Sequence, residues 1–195
     1  LGLVISFGSA IIEGQNFFGR PLGPGDSSYD ASQFTTKIAG AGVWFAGYNE
    51  DGERLANTPR VYLLPAGQDV LRPRNTQGEV RLWNVVEQML PVPYPLGPAE
   101  LQSRDWNPRR DGLSAPLFAV KPHARLRAYP YDPAFDPSEM NTDSQLIGRS
   151  VWNTQWLLVI PGSTLLADPQ TGIETFMADV QDIYIYFQTY AYTGD

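Results

Sequence analysis

Four tyrosines near the end of the chain form the most regular chemical pattern in the sequence. Tyr184, Tyr186, Tyr190 and Tyr192 alternate with smaller or apolar residues in the segment VQDIYIYFQTYAY, residues 180–192. Successive side chains of a strand point to opposite faces, so these rings are expected in one line on a sheet. Such a row can stack on sugars or anchor a protein partner. The alternative is cross-strand pairing, in which the rings stabilise the sheet and a neighbouring loop covers them.

One tryptophan is a further candidate for binding a ligand or a partner. Trp106 lies in the sequence RDWNPRR, which is interpreted as a loop, and this residue is therefore predicted to be exposed. The other four tryptophans lie inside predicted strands and are interpreted as core residues. Trp106 joins the four tyrosines as a candidate binding residue.

Two acidic loops have a composition that is typical of calcium sites. The first loop includes Asp26 and Asp30, and the second, YDPAFDPSEMNTD, includes Asp132, Asp136 and Asp143. Calcium takes about six to eight oxygen ligands, and the carboxylates and backbone carbonyls of a loop can provide them. Neither loop has the spacing of a helix–loop–helix calcium site, and Asp next to Pro or Ser also serves turn geometry. We expect no obligatory cofactor, with structural calcium as the alternative.

The residues needed for the common types of catalysis are missing from the sequence. His123 is the only histidine and there is no cysteine, so Ser–His, thiolate and multi-histidine zinc chemistry lack their groups. No glycine-rich nucleotide-binding loop and no G-x-S-x-G segment occurs. A pair of carboxylates such as Glu13 and Asp182 is the alternative that remains open. We predict that the protein is not an enzyme.

The charge of the chain and the length of its apolar runs argue against two classes of partner. The net charge is −7, which repels nucleic acid, so no nucleic-acid partner is expected. The dense basic residues are interpreted as solvated charges of loops and strands. They are Arg104, Arg109, Arg110, Arg125 and Arg127. No apolar run approaches the ~20 residues that a membrane-spanning helix needs, so no membrane span is expected.

Hydrophobic alternation divides the chain into strands with almost no helix. Residues 180–192 are the clearest strand, because β-branched and aromatic residues dominate them. Residues 145–160 end in WLLVI, which predicts a central strand buried on both faces. Residues 171–178 form the only predicted helix, and Asn49–Gly52 is a predicted turn. Further strands are predicted at residues 1–7, 34–38, 42–48, 59–65, 79–88 and 117–129, with loops or extended connectors at 14–32, 91–115 and 130–144.

This pattern predicts an all-β fold. We expect a single-domain β-sandwich or jelly roll of about eight to ten mainly antiparallel strands, with at most one short helix. The sequence has no internal repeat and no change of composition, so residues 1–195 are interpreted as one domain. The chain begins at Leu1 inside a predicted strand, which indicates a processed product or an excised module of a larger protein.

The end of the sequence resembles the end of Tc-toxin A subunits, which are very large bacterial proteins. The resemblance has two parts and covers about the last quarter of the chain. A tryptophan strand ending in proline is matched by Trp156, Leu158, Ile160 and Pro161. A final alternating strand is matched by Asp182, Ile183, Ile185 and Phe187. The resemblance implies a carboxy-terminal β-sandwich module of a large exported protein, used to dock a partner, and carries over no binding residue.

The sequence therefore favours a non-catalytic module that docks onto a protein partner or onto other domains of its parent chain. The parent is expected to be toxin-like and secreted or displayed at the cell surface. The alternative is a carbohydrate-binding module, in which the tyrosine face binds a glycan and calcium supports the fold.

Overall fold

The computed structural model describes residues 1–10, 12, 14–23, 33–71, 81–84, 124–132, 134 and 146–193. Nine strands and two helices lie in these ranges. The strands are β1 (Gly2–Phe7), β2 (Gln33–Ala46), β3 (Arg60–Pro65), β4 (Gln68–Leu71), β5 (Arg81–Asn84), β6 (Ala124–Pro130), β7 (Trp152–Asn153), β8 (Trp156–Pro161) and β9 (Asp182–Thr193). The helices are α1 (Gly162–Leu165) and α2 (Pro169–Asp179). The predicted all-β class is confirmed.

The strands form one large sheet and one small sheet. The large sheet has the order β1-β8-β3-β6-β2-β9, and the small sheet has the order β5-β4-β7. All neighbouring strands are antiparallel except β2 and β6, which run parallel. The large sheet curls, since Trp156 on β8 lies 5.3 Å from Phe187 on the far edge strand β9, measured between ring centroids. Val70 and Trp152 of the small sheet join the same core, so the arrangement is sandwich-like.

The inner face of the large sheet supplies most of the core. Alternate residues of β3, β6 and β8 are fully buried, which is the period-two pattern of a strand with one face inside. The inward apolar side chains of these three strands are Val61, Leu63, Leu126, Trp156, Leu158 and Ile160. The predicted inward face of the last strand is also found, because Ile183, Ile185 and Phe187 pack against this core.

The strand β2 joins two segments that the sequence separated. Residues 34–38 and 42–48 were expected as different strands. Instead β2 pairs with β9 along its whole length, from Gln33↔Thr193 to Ala46↔Asp182. Two register shifts, between Phe34 and Lys37 and between Ile38 and Gly40, absorb the extra residues of β2. β-Bulges of this kind keep a long strand paired while its side-chain parity changes.

The strand buried on both faces is β2. The sequence predicted this role for the end of residues 145–160, but Leu157 and Val159 of β8 are only half-buried. In β2, Val43 and Phe45 are buried on the inner face, and Trp44 between them is buried on the outer face. Both strands are interior in the sheet, β8 between β1 and β3 and β2 between β6 and β9. They differ in what covers the outer face, because Tyr129 and Tyr186 pack against Trp44 and the sequence does not reveal these neighbours.

The helix predicted at residues 171–178 is α2, and it packs over one end of the core. Asp168 caps it by accepting a hydrogen bond from the Thr171 backbone N–H, and Pro169 occupies the first turn. Phe176 of α2 lies 4.9 Å from Phe45, in an edge-to-face arrangement. The structure adds the four-residue helix α1 directly after β8. Within the described ranges, neither helix has the length and apolar character that crossing a membrane requires.

The predicted turn after β2 is confirmed. Gly47 adopts a φ of 79°, and a Cβ there would lie 2.4 Å from the Asp179 carbonyl oxygen, so this position requires glycine. Asn49 has a φ of 58°, and its side-chain amide both donates to the Leu55 carbonyl and accepts from the Leu55 N–H. Two hydrogen bonds from one side chain fix the loop that leads into β3.

Candidate binding surface and buried polar cluster

Two tyrosines of β9, Tyr184 and Tyr186, lie on the outer face of the large sheet. Ile183 and Ile185 face the core, so Tyr184 and Tyr186 between and after them point away from it. The register places Tyr184 opposite Trp44 and Tyr186 opposite Gly42 on β2. The pairing of β9 with β2 thus brings two tyrosines to a buried tryptophan that the sequence assigned to the core.

Five aromatic rings contact one another in sequence across this face. Tyr131 stacks on Tyr184 at 4.1 Å between ring centroids, with planes 10° apart. Tyr184 lies 6.5 Å from Tyr186, and Tyr186 meets Trp44 edge-to-face at 5.4 Å. Trp44 lies 6.4 Å from Tyr129 on β6. These five residues are called the outer aromatic cluster below, and their contacts favour the cross-strand pairing that was the alternative interpretation of the tyrosine row.

Gly42 makes room for the indole of this cluster. A Cβ at Gly42 would lie 2.2 Å from Cη2 of Trp44, which is far closer than any side-chain carbon can approach. The indole therefore lies directly over the Gly42 backbone. A glycine inside a strand weakens the strand by itself, and this close approach explains its presence here.

The cluster is graded in exposure. Trp44 is 5% exposed, whereas Tyr129 is 36% exposed, and Tyr131, Tyr184 and Tyr186 are half-buried. Burial raises the pKa of the Tyr184 hydroxyl, and the neighbouring Asp182 carboxylate acts in the same direction. The hydroxyl is thus neutral at physiological pH and can donate a hydrogen bond. Rigid rings with polar tips around a buried tryptophan are suited to contact with another molecule.

The other predicted binding residues are placed only in part. Tyr190 is half-buried and pairs in register with Lys37. Lys37 is buried, and this burial lowers its pKa to about 8. Tyr192 pairs with Phe34 along the backbone of the same sheet, and its side chain lies outside the described residues. Trp106 lies outside the described residues as well. The structure therefore gathers Tyr184 and Tyr186 into the outer aromatic cluster, and the predictions for Tyr192 and Trp106 stay predictions.

The calcium prediction reaches the described residues at one position. Asp132 is exposed, and its carboxylate accepts a hydrogen bond from the Ala134 backbone N–H at 2.8 Å, which is a turn-forming contact. Asp26, Asp30, Asp136 and Asp143 lie outside the described residues. Among the residues that the structure does describe, no group of three acidic or histidine side chains could hold a metal ion. Calcium binding by either loop stays a prediction.

A second cluster of polar residues is buried between the two sheets. Ser9 donates from its hydroxyl to the Val151 carbonyl at 2.6 Å, and accepts from the Asn153 N–H and from Nε1 of Trp156. The Asn153 side chain accepts from the Gly67 and Gln155 backbone N–H groups. Each polar group thus satisfies a backbone or ring donor that would otherwise be buried without a partner. These bonds tie the end of β1 and the start of β4 to β7.

The buried cluster also contains an ion pair. Asp69 is 0% exposed and Arg149 is 3% exposed, with 3.6 Å between Oδ2 of Asp69 and Nη1 of Arg149. Nδ2 of Asn153 donates to Oδ1 of Asp69 at 2.8 Å. Burial raises the pKa of the Asp69 carboxyl to about 6, although the hydrogen bond from Asn153 and the charge of Arg149 oppose this rise. Burial likewise lowers the pKa of Arg149, and Asp69 opposes that change.

Sequence reasoning missed the buried cluster because its members are far apart in the chain. Ser9 and Asn153 are separated by 144 positions, and Asp69 and Asn153 by 84. None of these residues belongs to a motif with fixed spacing. One signal was available, since Asp69 and Asn153 each adjoin apolar strand residues, where a polar side chain needs a partner.

Comparison with known proteins adds no relative. The chain matches no protein-family model, no curated protein and no solved structure.

Proposed function

We propose that this protein is a non-catalytic β-sandwich module that docks onto a protein partner through its outer aromatic cluster. The observation that carries the proposal is the graded burial of the cluster, from Trp44 at its centre to the exposed ring of Tyr129. Anchoring residues at protein interfaces are enriched in tyrosine and tryptophan, held rigidly and ringed by other contacts. A rigid cluster loses little conformational freedom when a partner binds, which favours affinity.

The ring geometry favours a protein partner over a glycan. Sugars bind by stacking on ring faces, but Tyr131 and Tyr184 use one face each against the other at 4.1 Å. Tyr186 and Trp44 meet edge-to-face, with an angle of 83° between the two ring planes. The surface therefore offers ring edges and hydroxyls, which suit the mixed polar and apolar contacts of a protein interface. A carbohydrate-binding module is the competing outcome in the experiment below.

The parent protein that we infer is large, exported and toxin-like, with this chain as a carboxy-terminal module. Support for this inference comes from the resemblance to Tc-toxin A subunits over the last two strands. Most residues of that resemblance, such as Trp156 on β8 and Ile185 on β9, belong to the core or pack against it. They bear on fold and parentage, and the docking proposal rests on the outer face alone.

Site-specific photo-cross-linking tests the docking proposal. A benzophenone amino acid replaces Tyr129 in the test variant. In the matched control it replaces Val4, which is 62% exposed on the edge strand β1 of the same sheet. We expect the label at position 129 to form a discrete adduct with one protein. The experiment uses an extract that contains both the producing cells and their target cells. The same adduct must be absent from the Val4 position and must be lost on Tyr184→Ala.

A glycan array run with the same protein separates the competing function. Binding to a glycan that is lost in both Tyr184→Ala and Tyr186→Ala, without an adduct from the Tyr129 position, would overturn docking in favour of sugar recognition. Equal adducts from Tyr129 and Val4 would also overturn the proposal, since they would show contact without a preferred face.

A further inference from the structure

The outer face of β3 and β6 carries three arginines in one patch. Arg125 and Arg127 alternate with buried residues on β6, and Arg60 begins β3 on the same face. The register pairs Arg60 with Arg127 and Tyr62 with Arg125. Directly opposed residues have Cβ atoms about 4.5–5.5 Å apart, so the side chains of Arg60 and Arg127 leave the sheet next to each other. We call Arg60, Arg125 and Arg127 the arginine patch.

The opposed pair lacks a counter-charge from the described part of the protein. There, the arginines within 4 Å of a carboxylate are Arg20, Arg54 and Arg149. Arg127 instead donates from Nη1 to the hydroxyl of Thr58 at 3.1 Å. Like charges placed directly opposite each other on a sheet are unfavourable. The chain has 21 acidic and 14 basic residues, so an opposed arginine pair is conspicuous on such a surface.

The arginine patch is continuous with the outer aromatic cluster. Arg125, Arg127 and Tyr129 are the successive outward residues of β6. Tyr129 contacts Trp44 on β2, which is the next strand in the sheet. One outer face therefore presents a basic region beside an aromatic region, and β6 contributes residues to both.

We propose that this face docks an acidic segment of the partner protein, with its carboxylates on Arg60 and Arg127 and its apolar side chains on the outer aromatic cluster. This inference rests on the docking function proposed above and names the chemistry of the partner. Arginine pairs with carboxylates through two parallel hydrogen bonds, which fix orientation as well as charge. Elsewhere the net charge of −7 repels an acidic partner, so the patch also selects the face on which it lands.

Charge complementarity favours an acidic protein segment over nucleic acid. Binding of nucleic acid depends on many phosphate contacts along an extended basic surface. The arginine patch spans only two strands, and a long polyanion that covered it would extend over the acidic remainder of the molecule. A short segment with a few carboxylates and apolar residues matches the dimensions and chemistry of the face.

Fluorescence anisotropy with a synthetic peptide tests the inference. The probe is a fluorescein-labelled peptide of alternating glutamate and leucine, titrated with the whole chain in low salt. We expect Arg60→Ala with Arg127→Ala to weaken binding about tenfold, and added salt to weaken binding of the unmodified chain. Arg54→Ala removes one exposed charge away from the patch and is the control for loss of an arginine elsewhere on the surface. We expect it to change binding less than about twofold.

The folded state of each variant is checked by circular dichroism, and a lysine pair controls for charge. Arg60→Lys with Arg127→Lys keeps the charge but not the fork, and we expect it to lie between the unmodified chain and the alanine pair. Equal binding by the unmodified chain and the alanine pair would overturn the inference. Tighter binding of a heparin fragment or duplex DNA than of the peptide, with the same arginine dependence, would overturn it as well.

The two proposals fail in different ways. A Tyr129 cross-link that persists in the alanine pair would leave docking intact and overturn the acidic partner. Arginine-dependent peptide binding without any Tyr129 cross-link would support the arginine site and overturn docking through the aromatic cluster.

Discussion

Two pairs of charged residues in this protein lie in opposite surroundings. Asp69 and Arg149 are buried between the sheets, 3.6 Å apart, and Asn153 supplies a further hydrogen bond. Arg60 and Arg127 are exposed on the outer face, carry the same sign and oppose each other across two strands. The buried pair neutralises itself, and the exposed pair does not.

The difference separates charges that depend on each other inside the fold from charges that face other molecules. Burying an ion is costly unless it is paired and hydrogen-bonded, so removing either member of the Asp69–Arg149 pair leaves the other buried without its counter-charge. Exposed charges contribute little to stability and mainly influence association. The two pairs should therefore respond to mutation, pH and salt in different ways, and each response below tests that separation.

The largest effect is expected from breaking the buried pair. Arg149→Ala leaves the Asp69 carboxylate buried without its counter-charge and should destabilise the protein by about 3–5 kcal/mol in urea unfolding. Arg60→Ala serves as the matched control, because it removes an exposed arginine, and should change stability by less than about 0.5 kcal/mol. Equal losses from the two variants would remove the distinction between the pairs.

A smaller effect is expected from Gly42→Ala, which tests the packing of the aromatic region beside the exposed pair. The new Cβ would lie 2.2 Å from the Trp44 ring, so the indole or the strand must move. Overpacking of this kind costs about 1–3 kcal/mol, and the near-ultraviolet circular dichroism of the aromatic rings should change with it. Trp44→Phe removes the clashing ring atoms, so the double variant should lose less than the two single losses combined. Additive losses would show that Gly42 and Trp44 do not meet.

Acid should stabilise the buried region by about 1 kcal/mol between pH 7 and pH 5, relative to an Asp69→Asn variant. The folded-state pKa of Asp69, about 6, is higher than its ordinary value of 3.8. The folded protein therefore binds this proton more tightly than the unfolded chain does. The stabilisation is complete below pH 3.8 and is lost as the pH rises through 6.

Urea titrations of the two proteins at several pH values measure this difference directly. As the pH falls, the free energy of unfolding of the unmodified chain should rise relative to that of Asp69→Asn. A difference that stays constant, or that grows in the opposite direction, would show that burial does not control the Asp69 proton.

The sequence predicted the parts of this fold that depend on local pattern. The alternation in residues 180–192 predicted β9 and its inward face, because period two needs no knowledge of a partner strand. The helix predicted at residues 171–178 was also found, although it begins two residues earlier, where Asp168 caps it and Pro169 occupies the first turn. The all-β class followed from the sum of such patterns.

Features that depend on strand register lay beyond the sequence. Two bulges join the halves of β2, and they exist because β9 pairs with both halves. Arg60 becomes the neighbour of Arg127 only because β3 lies beside β6. The basic residues that the sequence analysis grouped together therefore did not include Arg60. The alternation placed Tyr184 and Tyr186 on one face of β9, but the contact of Tyr186 with Trp44 required the order of strands in the sheet.

The smallest effect concerns the exposed pair itself, and its sign is informative. Arg127→Ala relieves the repulsion from Arg60 at the cost of an exposed contact with Thr58. Stability at low salt should therefore stay constant or rise by up to about 0.5 kcal/mol. Salt at about 1 M screens charges beyond ~3 Å and should abolish any gain.

Arg54→Ala provides the contrast for that measurement. Arg54 pairs with Asp179 at 2.7 Å, so its removal should lower stability by up to about 1 kcal/mol, again less at high salt. Opposite signs for the two arginines would show that one is satisfied within the fold and the other is not. A loss above about 1 kcal/mol for Arg127→Ala would mean that the fold already neutralises this charge. Arg127 would then offer an acidic partner no unsatisfied charge.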